Sequence, residues 1–226
     1  MIKLIIFDWD DVFTLGSKEG YIKCLHDTLT DLGIRLDPNV EHERIQQTWS
    51  QPHELELANL LSERPDLVEK ACEVYEQKFF GDAFVSALSS VEGANELLKR
   101  LKGHYKLAVA TGAHPAILRE RVMPKFQVPD VFDQIMFGYE LDDSSKNKPH
   151  PYMLETILKN TGCSPAEAIF VGDAKNDVVM ARNAGVEPVV VLTGHLNRQQ
   201  AEELGIKHII GDVTKLEPVL EKLTMT

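Results

Sequence analysis

Three carboxylates, Asp8, Asp10 and Asp11, follow the apolar run Leu4–Phe7. Acids this close repel one another unless a cation joins them. Their oxygens suit a hard ion such as Mg2+, although acids after a strand also cap helices. A second group, Asp173 and Asp177, follows the apolar run Ala168–Val171. Asp177 would lie one helical turn beyond Asp173 and point back near it; again a helix cap is the plainer reading. Two separate strand tips with paired carboxylates favour a metal over two unrelated caps. Thr111-Gly112 ends a third apolar run. A hydroxyl beside a glycine, ahead of a helix, offers donors to an anion, though Thr-Gly is also common in turns. In Lys146-Asn147-Lys148-Pro149-His150-Pro151 the prolines stiffen the chain and aim Lys148 at one place, where a lone lysine would otherwise read as solvated. Taken together, the four features fit a dianionic phosphate. Among aspartates it needs Mg2+ and a lysine to offset repulsion, with Thr111, Gly112 and nearby amides on its oxygens.

The elements that carry these residues follow from the apolar pattern. Ile2–Phe7, Tyr105–Ala110, Gln134–Phe137, Ala168–Val171, Pro188–Leu192 and His208–Ile210 are short and apolar nearly throughout. Such runs suit strands buried on both faces of a parallel sheet. Helical stretches alternate with them: Ala94–Leu101, Pro115–Val122, Tyr152–Leu158, Asn176–Ala184, Arg198–Leu204 and Lys215–Leu223. That alternation predicts an α/β, doubly wound parallel sheet, whose ligands bind beyond the carboxyl ends of the strands. Residues 15–88 differ. Tyr21, Leu25, Thr28, Leu29 and Leu32 lie at helical spacing before a stop at Gly33. Pro52 and Pro65 sit where helices begin, and Leu67, Ala71, Val74, Tyr75 and Phe79 mark another amphipathic helix. No strand is expected there. The expected organisation is a core of residues 1–14 and 89–226 with an all-helical insertion at 15–88. The insertion starts beside the densest acids, which favours a lid over an extra packing layer.

Composition narrows the partners. The chain has 226 residues, 24 Lys+Arg against 35 Asp+Glu, and a formal net charge of −11. That balance repels nucleic-acid phosphates and anionic membranes, and no basic stripe reverses it. A chain this long buries roughly 70% of its unfolded surface, so it needs no disulfide or structural metal. Cys24, Cys72 and Cys163 are odd in number and far apart, which reads as reduced thiols in a cytoplasmic protein. The four apolar residues Leu4–Phe7 are too short for a signal segment or a membrane span.

The order Asp8-x-Asp10, Thr111, Lys148-Pro149, Gly172-Asp173-x-x-x-Asp177 resembles the haloacid dehalogenase (HAD) superfamily of phosphohydrolases, from Lys3 to about Val191. Val171-Gly172-Asp173 and Ala181-Arg182-Asn183-Ala184-Gly185-Val186 resemble its phosphoglycolate phosphatase and β-phosphoglucomutase branch. The resemblance implies a Rossmann-like core with a helical cap, and a Mg2+-dependent phosphatase acting on a small phosphomonoester. Asp8 would be the nucleophile and Asp10 the general acid–base. The metal would sit on the Asp8 carboxylate, the Asp10 carbonyl and Asp173, with Asp177 orienting its water or Lys148. Thr111, Gly112 and Lys148 would hold the phosphoryl oxygens. A phosphosugar mutase would need the same residues and differs in its product. A metal-free dehalogenase would lack Asp10, and a non-catalytic phospholigand-binding protein would have lost Asp8 or Lys148. A receiver-type signalling domain is about half this length. The expected state is a monomer or homodimer.

One position departs from the family pattern: Asp11 stands where glycine is usual. It is expected to be a tolerated outer acid, because Mg2+ keeps several waters and needs only two or three protein oxygens. Substrate selection is expected in the insertion, with His26, Arg35, His42, Arg44, Trp49, His53 and Arg64 as candidates against the plainer reading of surface or packing residues.

Overall fold

Every side chain of β1 (Leu4–Phe7) is buried, so the strand sits inside a sheet covered on both faces. The structure is a computed structural model describing residues 1–48 and 52–224. In chain order β1 is followed by β2 (Thr14–Leu15), α1 (Ser17–Asp31), α2 (Pro38–Thr48), α3 (His53–Leu60), α4 (Val68–Phe80), α5 (Asp82–Ala87) and β3 (Ser89–Ser90). Then come α6 (Ala94–Lys102), β4 (Lys106–Thr111), α7 (Met123–Lys125), β5 (Gln134–Phe137), α8 (Tyr152–Thr161), β6 (Ala168–Gly172) and α9 (Lys175–Asn183). The chain ends with β7 (Glu187–Val191), α10 (Arg198–Glu203), β8 (His208–Ile210) and α11 (Glu217–Thr224).

Six strands form one parallel sheet in the order β5-β4-β1-β6-β7-β8. This is the expected doubly wound α/β class. Chain order reverses at β1, which has β4 on one side and β6 on the other, so a crevice opens at its carboxyl end. Phe7 lies level with Val109 of β4 and Val171 of β6. The residues just after these positions therefore emerge side by side. On one face Met153, Leu154, Ile157 and Leu158 of α8 pack with Leu4, Ile6, Ala108, Ala110 and Phe170. Each buried Leu, Ile, Met or Phe side chain among them contributes roughly 2 kcal/mol. Further along the sheet, Val178, Val190, Leu196, Ala201 and Ile206 form a second apolar cluster.

The chain divides into two units, Met1–Leu15 with Ser89–Thr226 and Gly16–Leu88. Within the second, Gly20 lets α1 approach α5: a Cβ there would lie 2.9 Å from the Phe84 ring. Tyr21 stacks on Phe79 at 5.5 Å, and Tyr75 on Phe79 at 5.8 Å. No described helix is long and apolar enough to cross a membrane.

The structure differs from the sequence-based elements in four places. Thr14 and Leu15 pair antiparallel with Ser90 and Ser89, a ribbon too short to leave an alternating pattern. Helix α2 was not anticipated, because Ile45 is its one buried residue and gives no periodicity. Pro115–Val122 is not a regular helix. Its Ile117–Val122 turn is widened, with the Met123 N–H bonding Leu118 O five residues back. Pro124 has no N–H to continue a regular ladder. Finally, Lys215–Leu223 splits into a tight turn at Val213–Lys215 and α11, with Pro218 in the first turn of α11, where its missing N–H costs least.

Candidate active site

The ladder of β1 continues one residue further, as the Asp8 N–H donates to Val171 O at 2.8 Å. Asp8 is thereby fixed at the strand tip with 9% exposure. Two strands' worth of carboxylate then meet. β6 ends in Gly172-Asp173, and α9 begins at Lys175. Asp177 turns back onto this junction, where its Oδ2 accepts the Asp173 and Ala174 N–H groups at 3.1 and 3.0 Å. It thus caps the helix, as the plainer reading held, while its Oδ1 accepts from Lys148 at 2.8 Å. Glycine is needed at 172 because a Cβ there would lie 2.6 Å from Asp177 Oδ2.

Lys148 joins the two strand tips. Its Nζ is 2.8 Å from Asp8 Oδ1 and 2.8 Å from Asp177 Oδ1. The segment that delivers it is held locally: Asn147 Oδ1 accepts the Lys148 N–H at 2.9 Å, and Asn147 O accepts the His150 N–H at 2.8 Å. Asn147 packs in turn on Gly138, where a Cβ would approach to 2.3 Å. Thr111 ends β4 beside β1 and is fully buried. Its Oγ accepts the Ala113 N–H at 3.0 Å, which leaves the hydroxyl proton to donate elsewhere. Gly112 follows in the exposed turn. Asp10 is half-buried, on the bend that returns to Thr14.

Electrostatics follow from this crowding. Burial pushes Asp8 above the ordinary carboxylate range, against the pull of Lys148. Burial alone would lower Lys148, but Asp177 and Asp8 overcome it and hold the ammonium above its usual value. Burial, reinforced by Asp177 and Asp8, pushes Asp173 up to about 8. One oxygen each from Asp8, Asp173 and Asp177 lies within 4.8 Å of the others. With all three carboxylates ionised, the one ammonium would leave two negative charges, the balance that a divalent cation corrects. Both oxygens of Asp177 are occupied by Lys148 and backbone donors, so Asp8 and Asp173 hold the ligand capacity. The all-oxygen donor set fits a hard divalent ion.

The sequence reading did not mark the loop after β7. The His195 N–H donates to Asp173 Oδ2 at 2.8 Å, the Leu196 N–H to Asp173 O at 2.9 Å, and the Thr193 hydroxyl to Asp11 O. A signal existed: Thr193-Gly194 repeats, at the tip of β7, the Thr111-Gly112 pair at the tip of β4. Several residues proposed for selectivity instead have partners inside their own unit. Arg44 donates to Leu60 O at 2.9 Å and binds Glu63, Arg64 pairs with Asp66, His26 meets Glu41 at 3.0 Å, and His53 stacks on Tyr75 at 4.9 Å. Trp49 lies outside the described residues.

The doubly wound parallel sheet carries acids at two adjacent strand tips, bridged by a lysine. The chain belongs to the haloacid dehalogenase-like hydrolases, whose sequence model matches residues 5–191. It is 30% identical over 180 residues to the pyrophosphatase PpaX of Halalkalibacterium halodurans, covering 78% of this chain and 67% of that protein. It is 27% identical over 143 residues to a phosphoglycolate phosphatase of Haemophilus influenzae, covering 63% of this chain and 62% of that one. Among solved structures, a HAD-superfamily hydrolase of Geobacter sulfurreducens superposes with a TM-score of 0.74 at 26% identity, over 97% of this chain and 96% of that one.

Proposed function

We propose that the protein is a Mg2+-dependent phosphatase that hydrolyses a small phosphomonoester through an aspartyl-phosphate on Asp8. The observation that carries this reading is the Lys148 ammonium at 2.8 Å from both Asp8 and Asp177, with Asp173 beside them. A nucleophilic carboxylate with a fixed cation on one side suits attack on a dianion.

Asp8 attacks phosphorus in line with the leaving oxygen, and the P–O bond to the alcohol breaks as the Asp8–P bond forms. Asp10 donates a proton to the departing alkoxide. It then takes one from the water that attacks the aspartyl-phosphate, which releases inorganic phosphate and regenerates Asp8. Lys148 and the Thr111 hydroxyl bind phosphoryl oxygens and stabilise charge spread in the transition state. Asp177 is a positioning residue that holds Lys148 on Asp8. Asp8, Asp173 and the Asp10 carbonyl would hold Mg2+, which supplies charge neutralisation to the phosphoryl group when bound. The helical insertion is the region proposed to select the alcohol portion of the substrate. Similarity to a phosphoglycolate phosphatase and a pyrophosphatase is the reason to assay phosphoglycolate, with inorganic diphosphate beside the monoesters.

The test is turnover of a phosphoester panel, including p-nitrophenyl phosphate, with Mg2+. Asp8→Asn should abolish turnover while its circular dichroism stays unchanged, since an amide is no nucleophile. Half of wild-type activity in that variant would overturn the mechanism.

A further inference from the structure

We propose that the protein carries a separate small-molecule site at the turn between β1 and β2, and that it takes an N-acylated amine, with the amide inside and the ammonium at the mouth. A cavity of about 510 Å3 lies there, within the size range of small-molecule pockets. Every residue that lines it belongs to the unit Met1–Leu15 with Ser89–Thr226. None of the residues assigned to phosphoryl transfer is among them, so the site stands apart from the proposed function. Its walls are tied by backbone groups. The Val91 N–H donates to Phe13 O at 2.9 Å, and the Asn95 side chain donates to Phe126 O at 2.9 Å. These bonds join the turn after β1, the start of α6 and the loop after α7, so the cavity is formed before anything enters it.

Burial orders the lining. Trp9 and Thr14 are each 1% exposed, whereas Glu92 and Glu96 are exposed. Two polar atoms at the buried end are unspent: Trp9 Nε1 and Thr14 Oγ have no hydrogen-bond partner among the described residues. A buried polar group in that state is costly. An indole N–H can only donate, whereas a hydroxyl both donates and accepts. An amide answers both, its oxygen accepting from Trp9 and its N–H donating to Thr14. One water would serve the same pair, but it fills only about 30 Å3 and leaves the apolar walls of Phe13, Leu98 and Phe126 wet. A methylene stem covers them.

Charge sets the outer end. Glu92 and Glu96 are the charged residues among those that line the cavity. Arg100, the cation that acts on Glu96, is itself held by Glu217 at 2.9 Å. Lys125 lies over the Phe126 ring and does not line the cavity. The mouth therefore favours a cation and opposes a carboxylate.

The probe is N-acetylputrescine, which has an amide, four methylenes and an ammonium. Its counterpart N-acetyl-4-aminobutyrate keeps the amide and ends in a carboxylate. The chain has two tryptophans, Trp9 and Trp49, so the indole N–H signals of the 15N-labelled full-length protein are two, and Trp49→Phe assigns them. Spectra taken in EDTA read binding without turnover. N-acetylputrescine should shift the Trp9 indole signal saturably within about 10 mM, the range of a weak small ligand, and the carboxylate counterpart should not. Thr14→Val, which removes a hydroxyl and keeps the shape, should weaken binding about two- to tenfold, the worth of one hydrogen bond. Glu92→Gln with Glu96→Gln, both exposed and so harmless to the core, should weaken it about threefold or more. A Trp9 signal that does not move, an equal shift with the carboxylate counterpart, or unchanged affinity in the double glutamine variant overturns the inference. None of these results bears on phosphoester turnover, which is measured separately.

Discussion

Replacing Lys148 by methionine isolates the charge that joins the two strand tips. The methionine keeps most of the stem and removes the ammonium. In the native site Nζ is 2.8 Å from each of two carboxylate oxygens, with side-chain exposures of 12% for Lys148, 13% for Asp8 and 3% for Asp177. At an effective dielectric near 20, one contact at that distance amounts to about 6 kcal/mol of gross attraction. Burying the three groups offsets most of it, and removing one partner of a buried pair costs about 3–5 kcal/mol net. For a chain of this size that is a Tm loss of roughly 6–20 °C. The pH dependence follows from signs. Lys148 is held above its ordinary 10.5, so its contribution is fully present below that value and is lost only in alkali. Between pH 5 and 8 the wild-type ammonium is therefore constant. In the variant, Asp8 loses the cation that offsets its burial, so its already raised carboxyl takes up a proton more readily and low pH relieves its repulsion with Asp177. The deficit should be largest at pH 8 and shrink toward pH 5. The assay is thermal and urea denaturation in EDTA at both pH values, alongside steady-state kinetics. Turnover should fall on the order of 10²–10³, the loss typical of one transition-state donor. A deficit below about 1 kcal/mol, or one equal at pH 5 and pH 8, would refute the assignment of Lys148 as the compensating charge.

Asp10→Asn should cost on the order of 10²–10⁴ in rate for alkyl phosphates and much less for p-nitrophenyl phosphate, whose leaving group needs no proton; equal losses would argue against an acid role. Asp173 is raised from 3.8 to about 8, so without metal its protonated form favours the folded state, and that contribution fades as pH rises through about 8. On the proposed reading Mg2+ would replace the proton, and its stabilisation in calorimetry should therefore grow from pH 5 to pH 8. Gly194→Ala, whose Cβ would meet Asp173 Oδ2 at 2.0 Å, should weaken Mg2+ binding in titration calorimetry and leave urea denaturation in EDTA within about 1 kcal/mol, because the clash falls on a loop beyond the carboxyl end of β7 rather than on the apolar side chains of the sheet.

What the sequence disclosed follows physical range. Leu4–Phe7 and Ala168–Val171 are continuous apolar runs, so strands buried on both faces were legible, and with them the tips bearing Asp8 and Asp173. Asp177 could be placed because four residues of helix fix its direction locally. The ion pairs of Lys148 span chain separations that no local pattern encodes, yet two prolines marked the segment. His195 had no such marker: it is a single loop residue, and its relation to Asp173 and Asp11 exists only after β1, β6 and β7 are side by side. The widened turn at Ile117–Val122 was hidden for the opposite reason, since its apolar spacing is helical and only Pro124 hints at the fault.

The two-residue ribbon of β2 and β3 has an evolutionary corollary. Because Thr14 pairs with Ser90 and Leu15 with Ser89, departure and return of the chain are a single backbone-bonded step, and the sheet experiences the stretch Gly16–Leu88 as one hairpin loop. Closing a loop grows costlier only logarithmically with length, about 0.6 kcal/mol per doubling. The intervening helices can then lengthen, shrink or be exchanged at little expense to the six strands, while Asp8, six residues before the ribbon, keeps its register. The insertion and the strand tips can thereby be inherited as separate traits within one gene.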